Sequence, residues 1–520
     1  MLPKRFFSPV NILTALMMFV LLFPKLSLIQ GLSGFPTPIR IEDLLIAIFV
    51  LYSVYLTISQ NEYREKFLKI VKLPVTRLIF MWLGVATLST VYNGFKTYEW
   101  GGLFFIFRFI EYTVFFFLSA LFVSSWERVK KIFVYISLSS IPLSLWAVLQ
   151  LMGILGGFGG GFYGYTYIFG TDRAFASFSG PYELAGFLII IIPLTFAMWV
   201  IESRGWLKKA LLVSLLLSIV ALGMSGSRFP IIASAFSIPF FLFVQRDKSF
   251  SLKVIAVTLL IIIVPPMVSK SLVERYGHIS QGVGNAVELA TLVPSPTVTP
   301  LPTMTPTPRP TKTPSPVAQI SITKSSNAGG SPVKPTIPEA TSKPPETNVP
   351  TTSVTTVVVS GVDETITEDM KNKPAVTNTF ISDAIDAIAE KDASLYWRLK
   401  ETWPRAFEAV SQNVWLGTGM GSLGIGLDSE FVTLFGETGI LGIIAYVVLM
   451  MVIGYQIIIR VRKSTDERQK LIITTAGIIL IALLVNGIFV DIFRASKVAM
   501  LLWFILGLIF SNNIIDKKKD

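Results

Sequence analysis

Twelve separate stretches of this sequence are apolar for long enough to cross a lipid bilayer, and no other feature restricts the fold as strongly. A span needs roughly 20 predominantly apolar residues to cover the hydrocarbon thickness as a helix. The stretches are 10–28, 42–59, 76–93, 101–123, 132–153, 183–201, 209–225, 229–245, 252–269, 438–459, 470–490 and 497–511. Lipid supplies no partners for free backbone groups, so such stretches fold as helices. The expected fold class is an all-α polytopic membrane protein with about 12 transmembrane helices. Composition agrees: 15% of residues are charged, 52% are hydrophobic and mean hydropathy is +0.63, whereas a soluble domain is about a quarter charged. The first span has no small-residue cleavage site before or after a charged leader and reads as an uncleaved anchor.

The net charge of +12 invites a nucleic-acid reading until its placement is examined. Alternate short connections are dense in Lys and Arg. Examples are Arg64, Lys66, Lys69 and Lys72; Arg128, Lys130 and Lys131; and Arg460, Arg462 and Lys463. The intervening connections carry isolated cations such as Lys25, Arg40, Lys96, Arg173 and Arg228. Positive charge collects on the cytoplasmic side, so both termini are expected in the cytoplasm. The excess charge is then topological, and no nucleic-acid partner is expected. Absence of Cys excludes disulfides, thiolate metal sites and a Cys nucleophile, and the lone His278 excludes a His-rich metal centre.

One connection breaks the spacing. The chain divides into a membrane domain at 1–270, an extracytoplasmic loop at 271–437 between spans nine and ten, and a second membrane domain with a cytoplasmic tail at 438–520. Half of the chain's 30 prolines fall in 294–350, interleaved with Thr and Ser. This composition buries too little apolar surface to offset chain entropy, so 294–375 is read as a disordered tether. Order is expected to return over 378–437. There, Ile381, Ile385 and Ile388 form one helical stripe, with Asp383, Asp386 and Glu390 opposite. A second helix places Tyr396, Leu399, Trp403, Phe407 and Val410 on its apolar face and Arg398, Glu401, Thr402 and Arg405 on the other, with Pro404 expected to bend or split it. The glycines of "LGTGMGSLG" follow no strand and precede no Lys-Ser/Thr pair, so they are read as a flexible turn and not a nucleotide loop. A helix then starts near Asp428, a candidate cap, and runs towards span ten.

Charges near the outer ends of spans carry the chemistry, since burying them is costly unless they are paired or functional. Arg173, Arg228, Arg398, Arg405 and Arg494 outnumber nearby carboxylates, while Arg108 and Glu111 form an expected structural pair. Ser225, Gly226 and Ser227 predict a tight hairpin that holds Arg228 in place. Arginines on that face suit an anionic, membrane-embedded substrate such as a lipid diphosphate, which guanidinium grips bidentately. A glycosyl diphosphate already has a good leaving group, so what remains is a base for the acceptor hydroxyl.

These residues resemble the O-antigen ligase/O-antigen polymerase superfamily over most of the chain apart from the Pro/Thr insert. Four elements occur in that family's order: Arg173 to Pro193 with "GPYELAGFLIIIIP"; Ser227-Arg228; Arg398 and Trp403 with "LGTGMGSLG"; and "LDSEFVTLFGETGILG". The resemblance implies a metal-independent transfer, without cofactor, of glycan from a polyprenyl-diphosphate donor such as undecaprenyl diphosphate. The acceptor would be a hydroxyl on a glycan, lipid or protein at the outer face of the cytoplasmic membrane. Carried over, Arg228 and Arg398 hold the diphosphate with Arg173 as a third contact. Asp428 stands where the family's ligases have a His base, and Glu430 is the reserve.

Three other readings compete. Twelve spans suit a transporter or flippase, although nine spans before the loop and three after it show no repeat symmetry. Glu42 and Asp43 offer a divalent-cation site for a metal-dependent transferase. A surface anchor presenting the Pro/Thr stalk is the last.

Overall fold

A computed structural model describes residues 8–29, 39–97, 100–159, 166–168, 171–245, 247–269, 396–424 and 428–511, all within one compact unit. The tether and the expected helix carrying Ile381, Ile385 and Ile388 lie outside these residues.

Each of the twelve apolar stretches coincides with an apolar helix. In chain order these are α1 (Pro9–Leu22), α2 (Ile41–Ser59), α4 (Pro74–Thr97), α5 (Gly102–Phe122), α6 (Trp126–Leu151) and α7 (Pro181–Ile201). There follow α8 (Gly205–Met224), α9 (Arg228–Ser237, continued as a 3-10 turn to Phe243), α10 (Lys248–Val268), α12 (Glu430–Lys463), α13 (Glu467–Gly487) and α14 (Ser496–Phe510). Two helices are not apolar spans: the basic, amphipathic α3 (Asn61–Val71) and α11 (Trp403–Gln412). Among the described residues nine helices are long and apolar enough to cross a membrane, and α1, α9 and α14 are shorter. The all-α expectation needs one addition. Two antiparallel ribbons, Ser27–Ile29 with Ile39–Arg40 and Gly157–Gly159 with Thr166–Ile168, occupy connections.

Helix starts follow local chemistry. Ser8 caps α1 ahead of Pro9, and the Asp247 carboxylate accepts the Ser249 and Phe250 amides (3.1 and 3.2 Å) to cap α10. Burial then sorts the helices. α7 lies inside the assembly with most of its side chains buried, while α2 and α10 expose large apolar residues such as Leu51, Ile58 and Met267. An outer surface of this kind is tolerated only against an apolar medium. Apolar surroundings give helices no hydrophobic drive to pair, so polar contacts join them. Ser140 and Ser214 hydroxyls meet at 2.7 Å between α6 and α8, and Ser214 Oγ donates to the Ser137 carbonyl (2.6 Å). The molecule is thus a helical membrane protein.

Helical geometry is interrupted at two places around α11 and α12. α12 is broken at Gly439 (φ 64°, ψ −164°), where a Cβ would lie 2.5 Å from the Trp415 carbonyl group, so only glycine fits. Trp397–Thr402 winds as a π-turn before α11 begins, with Pro404 in the first turn of α11. Proline lacks an amide for the interior ladder and sits where none is needed. Thr402 and Trp403 keep helical dihedrals, so the chain changes from π to α winding just before Pro404 and is not split there.

Candidate functional site

The hairpin between α8 and α9 is as tight as its small residues predict. Gly226 takes φ 61°, Ser225 Oγ donates to the Leu222 carbonyl (2.7 Å), and α9 opens on Arg228, which is buried at 8% exposure. The segment carrying Arg173 is laid along this hairpin by the Ala174 amide, which donates to the Met224 carbonyl (2.9 Å). Arg173 Nε donates to the Ser225 carbonyl and Arg173 Nη2 to Ser227 Oγ, both at 2.8 Å, and its guanidinium lies 4.6 Å from the centre of the Tyr182 ring.

Arg398 reaches the same hairpin from the opposite end of the sequence. Its guanidinium lies 5.5 Å from the centre of the Phe229 ring, the residue after Arg228, and Phe229 stacks on Phe489 of the α13–α14 connection at 3.8 Å. Only 2% of Arg398 is exposed, its Nη2 donates to Asp428 Oδ2 (3.2 Å), and its Nε has no hydrogen-bond partner among the described residues. Arg173, Arg228 and Arg398 therefore converge on residues 225–229. Arg398 corrects one expectation: the residue assigned to the polar face is buried, while Phe407, assigned to the apolar face, is 55% exposed. The π-turn holds an extra residue per turn, which rotates Arg398 inward relative to a continuous 3.6-residue pattern.

Asp428 also departs from its expected capping role. It adopts φ 51°, and the cap of α12 is Ser429, whose Oγ accepts the Val432 amide (3.4 Å). Left-handed backbone is costly for a residue with a Cβ, and aspartate is among the few that adopt it. The carboxylate of Asp428 is 42% exposed and touches Arg398. Glu430, two residues on, is fully buried. It sits beside Asp491, Arg494 and the Phe493 backbone.

That second cluster is structural in form. Arg494 forks onto Glu437 (Nη1–Oε1 3.2 Å, Nη2–Oε2 2.6 Å), and Thr433 Oγ1 donates to Asp491 Oδ1 (3.1 Å). Burial pushes the Asp491 carboxyl above the usual carboxylate range, offset in part by Arg494. Arg405, named with the outer-face arginines, is exposed.

A third network joins four helix ends. Asp43 accepts Arg108 Nη1 (2.7 Å) and the Arg40 amide (2.9 Å), and Arg108 Nη1 also reaches Glu111 Oε2 (2.8 Å). The expected Arg108–Glu111 pair exists and includes Asp43. Glu42 lies 3.9 Å from Arg40. The two carboxylates offered as a cation site thus face arginines, and no group of three or more His, Cys, Asp or Glu suited to a metal ion occurs among the described residues. Lys25 pairs with Glu183. Lys497 donates to the carbonyls of Leu21 (3.3 Å), Phe23 (2.7 Å) and Ser177 (3.0 Å), an arrangement its sequence neighbours do not signal.

The glycine-rich segment is not a phosphate cradle. Gly417, Thr418, Gly419 and Met420 amides all donate internally, to Asn413 O, Gly436 O, Glu437 O and Thr90 Oγ1. The turn expected to be flexible is instead docked on the break at Gly439.

Fold and site together define a helical membrane protein with three arginines and one half-exposed carboxylate gathered at a single hairpin. No family model matches the chain, and no curated protein matches it.

Proposed function

We propose that this protein transfers a glycan from a polyprenyl-diphosphate carrier to an acceptor hydroxyl at the outer face of the cytoplasmic membrane, without a metal ion, in the manner of O-antigen ligases and polymerases. In this reading the twelve apolar helices span the bilayer, both termini are cytoplasmic, and the large loop between spans nine and ten faces outward. One observation carries the proposal: arginines 173, 228 and 398, far apart in sequence, meet around residues 225–229, and Asp428 contacts one of them.

The chemistry follows from that contact. Arg228 and Arg398 hold the diphosphate oxygens and offset the charge that develops as the carrier departs. Arg173 braces the hairpin through Ser225 and Ser227, so Arg228 is presented rather than trailing in solvent. Asp428 takes the proton from the acceptor hydroxyl as that oxygen attacks the anomeric carbon. Its exposure and its neighbours favour it over the enclosed Glu430.

The test is the surface glycan of cells with the wild-type protein, without it, and with Arg228→Lys. Loss or shortening of the glycan without the protein, and impairment by Arg228→Lys despite its retained charge, is the expected result. Ion-coupled uptake by the purified protein in liposomes, with unaltered surface glycan, would establish the transporter reading instead. Activity abolished by chelator would establish the metal-dependent one.

A further inference from the structure

The glycine segment at 417–424 forms one wall of a cleft of about 570 Å³, and the end of α4 with the start of α5 forms the other. No charged side chain lies among its described lining residues, and Thr90, Asn93, Thr97, Thr418 and Ser422 supply the polar side-chain atoms. Their hydrogen bonds share one direction. Thr90 Oγ1 donates to the Ala86 carbonyl (2.9 Å) and Thr97 Oγ1 to the Asn93 carbonyl (3.0 Å). Asn93 Nδ2 donates to the carbonyls of Ser89 (2.9 Å) and Gly417 (3.1 Å). Ser422 Oγ lies 2.7 Å from the Gly419 carbonyl and Thr418 Oγ1 lies 2.7 Å from Ser422 Oγ, so these hydroxyl protons are also used within the wall.

The side-chain donors are therefore spent inside the wall, as are the amides of 417–420; the wall's side chains are left with oxygen lone pairs, while the first amides of α5, at Gly101 and Gly102, remain as donors. Asn93 Oδ1 receives no hydrogen bond from any described residue. An anion needs donors and finds few here. A hard metal ion prefers carboxylates and finds none among the described lining. A ligand that brings its own hydroxyl protons fits. Apolar surface is also present: Phe105 lines the cleft, and the Trp100 ring rests on Gly94, where a Cβ would lie 2.9 Å from Trp100 Cε3. Trp100 is not itself a lining residue; it packs beside Gly94, meets Phe95 edge-on at 5.0 Å and is 39% exposed, so Phe105 is the aromatic side chain that lines the cleft for the C–H face of a sugar.

We infer that this cleft binds an uncharged, hydroxyl-rich stretch of glycan and is the acceptor subsite of the transfer reaction. The word acceptor rests on the transfer reading; glycan binding does not. Placement supports the assignment, because Gly424 at the end of the wall precedes Asp428 by only four residues.

The experiment uses the full chain in lipid nanodiscs and isotope-labelled surface glycan released from its lipid anchor. Thr97→Trp and Ser422→Phe fill the cleft from its two walls at exposed positions, with Thr97→Ser as the conservative control. Both filling variants should weaken glycan binding about tenfold or more, while Thr97→Ser binds as wild type. Full binding by both filling variants, or displacement of the glycan by inorganic pyrophosphate, overturns the assignment. Binding that the filling variants abolish, in a protein that transfers nothing, keeps the cleft as a glycan site and removes its acceptor role. Transfer that they leave unchanged at sub-saturating acceptor removes the cleft and keeps the transfer reading.

Discussion

Replacing Arg398 with Met should separate stability from activity. The guanidinium is 2% exposed, but its partner Asp428 is 42% exposed, so solvent screens the pair to about 1 kcal/mol or less. Its position over Phe229 adds about 1 kcal/mol. Against these stands the desolvation of a charge whose Nε has no hydrogen-bond partner among the described residues, about 1–3 kcal/mol. Methionine keeps much of the apolar stem and adapts to the space. The opposing contributions nearly cancel, so the melting temperature should stay within about 4 °C of wild type. Transfer should behave otherwise, because a charge-assisted grip on phosphate contributes about 1.5–3 kcal/mol. Turnover should then fall roughly 10- to 150-fold. Intrinsic tryptophan fluorescence follows unfolding without thiol dyes, which this Cys-free chain cannot take up. Unaltered turnover refutes the diphosphate grip. A melting temperature more than about 8 °C lower, with activity lost in proportion, refutes the near-cancellation and makes Arg398 a structural residue.

Asp428→Gly relieves the left-handed backbone at φ 51°, about 1 kcal/mol, and removes the partner of buried Arg398, about as much, so stability should change by less than about 1 kcal/mol while transfer is abolished and donor binding spared; transfer left intact would remove Asp428 as the base. Glu202, in the α7–α8 connection, is held at about 2 by hydrogen bonds from Arg204, below the ordinary carboxylate value of 4.5. A depressed carboxyl stabilises the fold above its unfolded-state value and loses that contribution as pH falls. The melting-temperature gap between wild type and Glu202→Gln should hold from neutral pH to about 4.5 and close towards pH 2; a gap independent of pH would count against the ion pair.

The helices are legible in the sequence because apolar length alone decides them, and the hairpin at Ser225–Ser227 is legible from its small residues. Gly439 is not. It sits in "ETGILG" inside an apolar run that reads as unbroken helix from either side, and the break exists because the Trp415 backbone comes against it from a distant turn. Arg398 falls on the wrong face for a related reason. A 3.6-residue period assumes an α-helix, and the π-turn violates that assumption without a marker in composition. At the start of α12 the expected cap, Asp428, is passed over for Ser429 beside it, because Asp428 takes left-handed dihedrals. The convergence of Arg173, Arg228 and Arg398 has no signature in their spacing; only the likeness to a transferase family suggests grouping them.

Lys497 stitches together chain segments made at opposite ends of translation. Its ammonium satisfies carbonyls at Leu21 and Phe23, at the exit of the first helix, and at Ser177, four residues from Arg173. A ribosome releases those segments long before it reaches position 497. Until the final helix arrives, the exit of α1 and the stretch after Arg173 are held by Lys25 on Glu183 and Ser179 and by Ser177 on the Leu21 carbonyl, without the Lys497 ammonium. Completion of the polypeptide therefore adds a further tie between segments that earlier contacts already join, and a nascent chain stalled in the large loop should present the Arg173-braced hairpin before Arg398 and Lys497 exist to reach it.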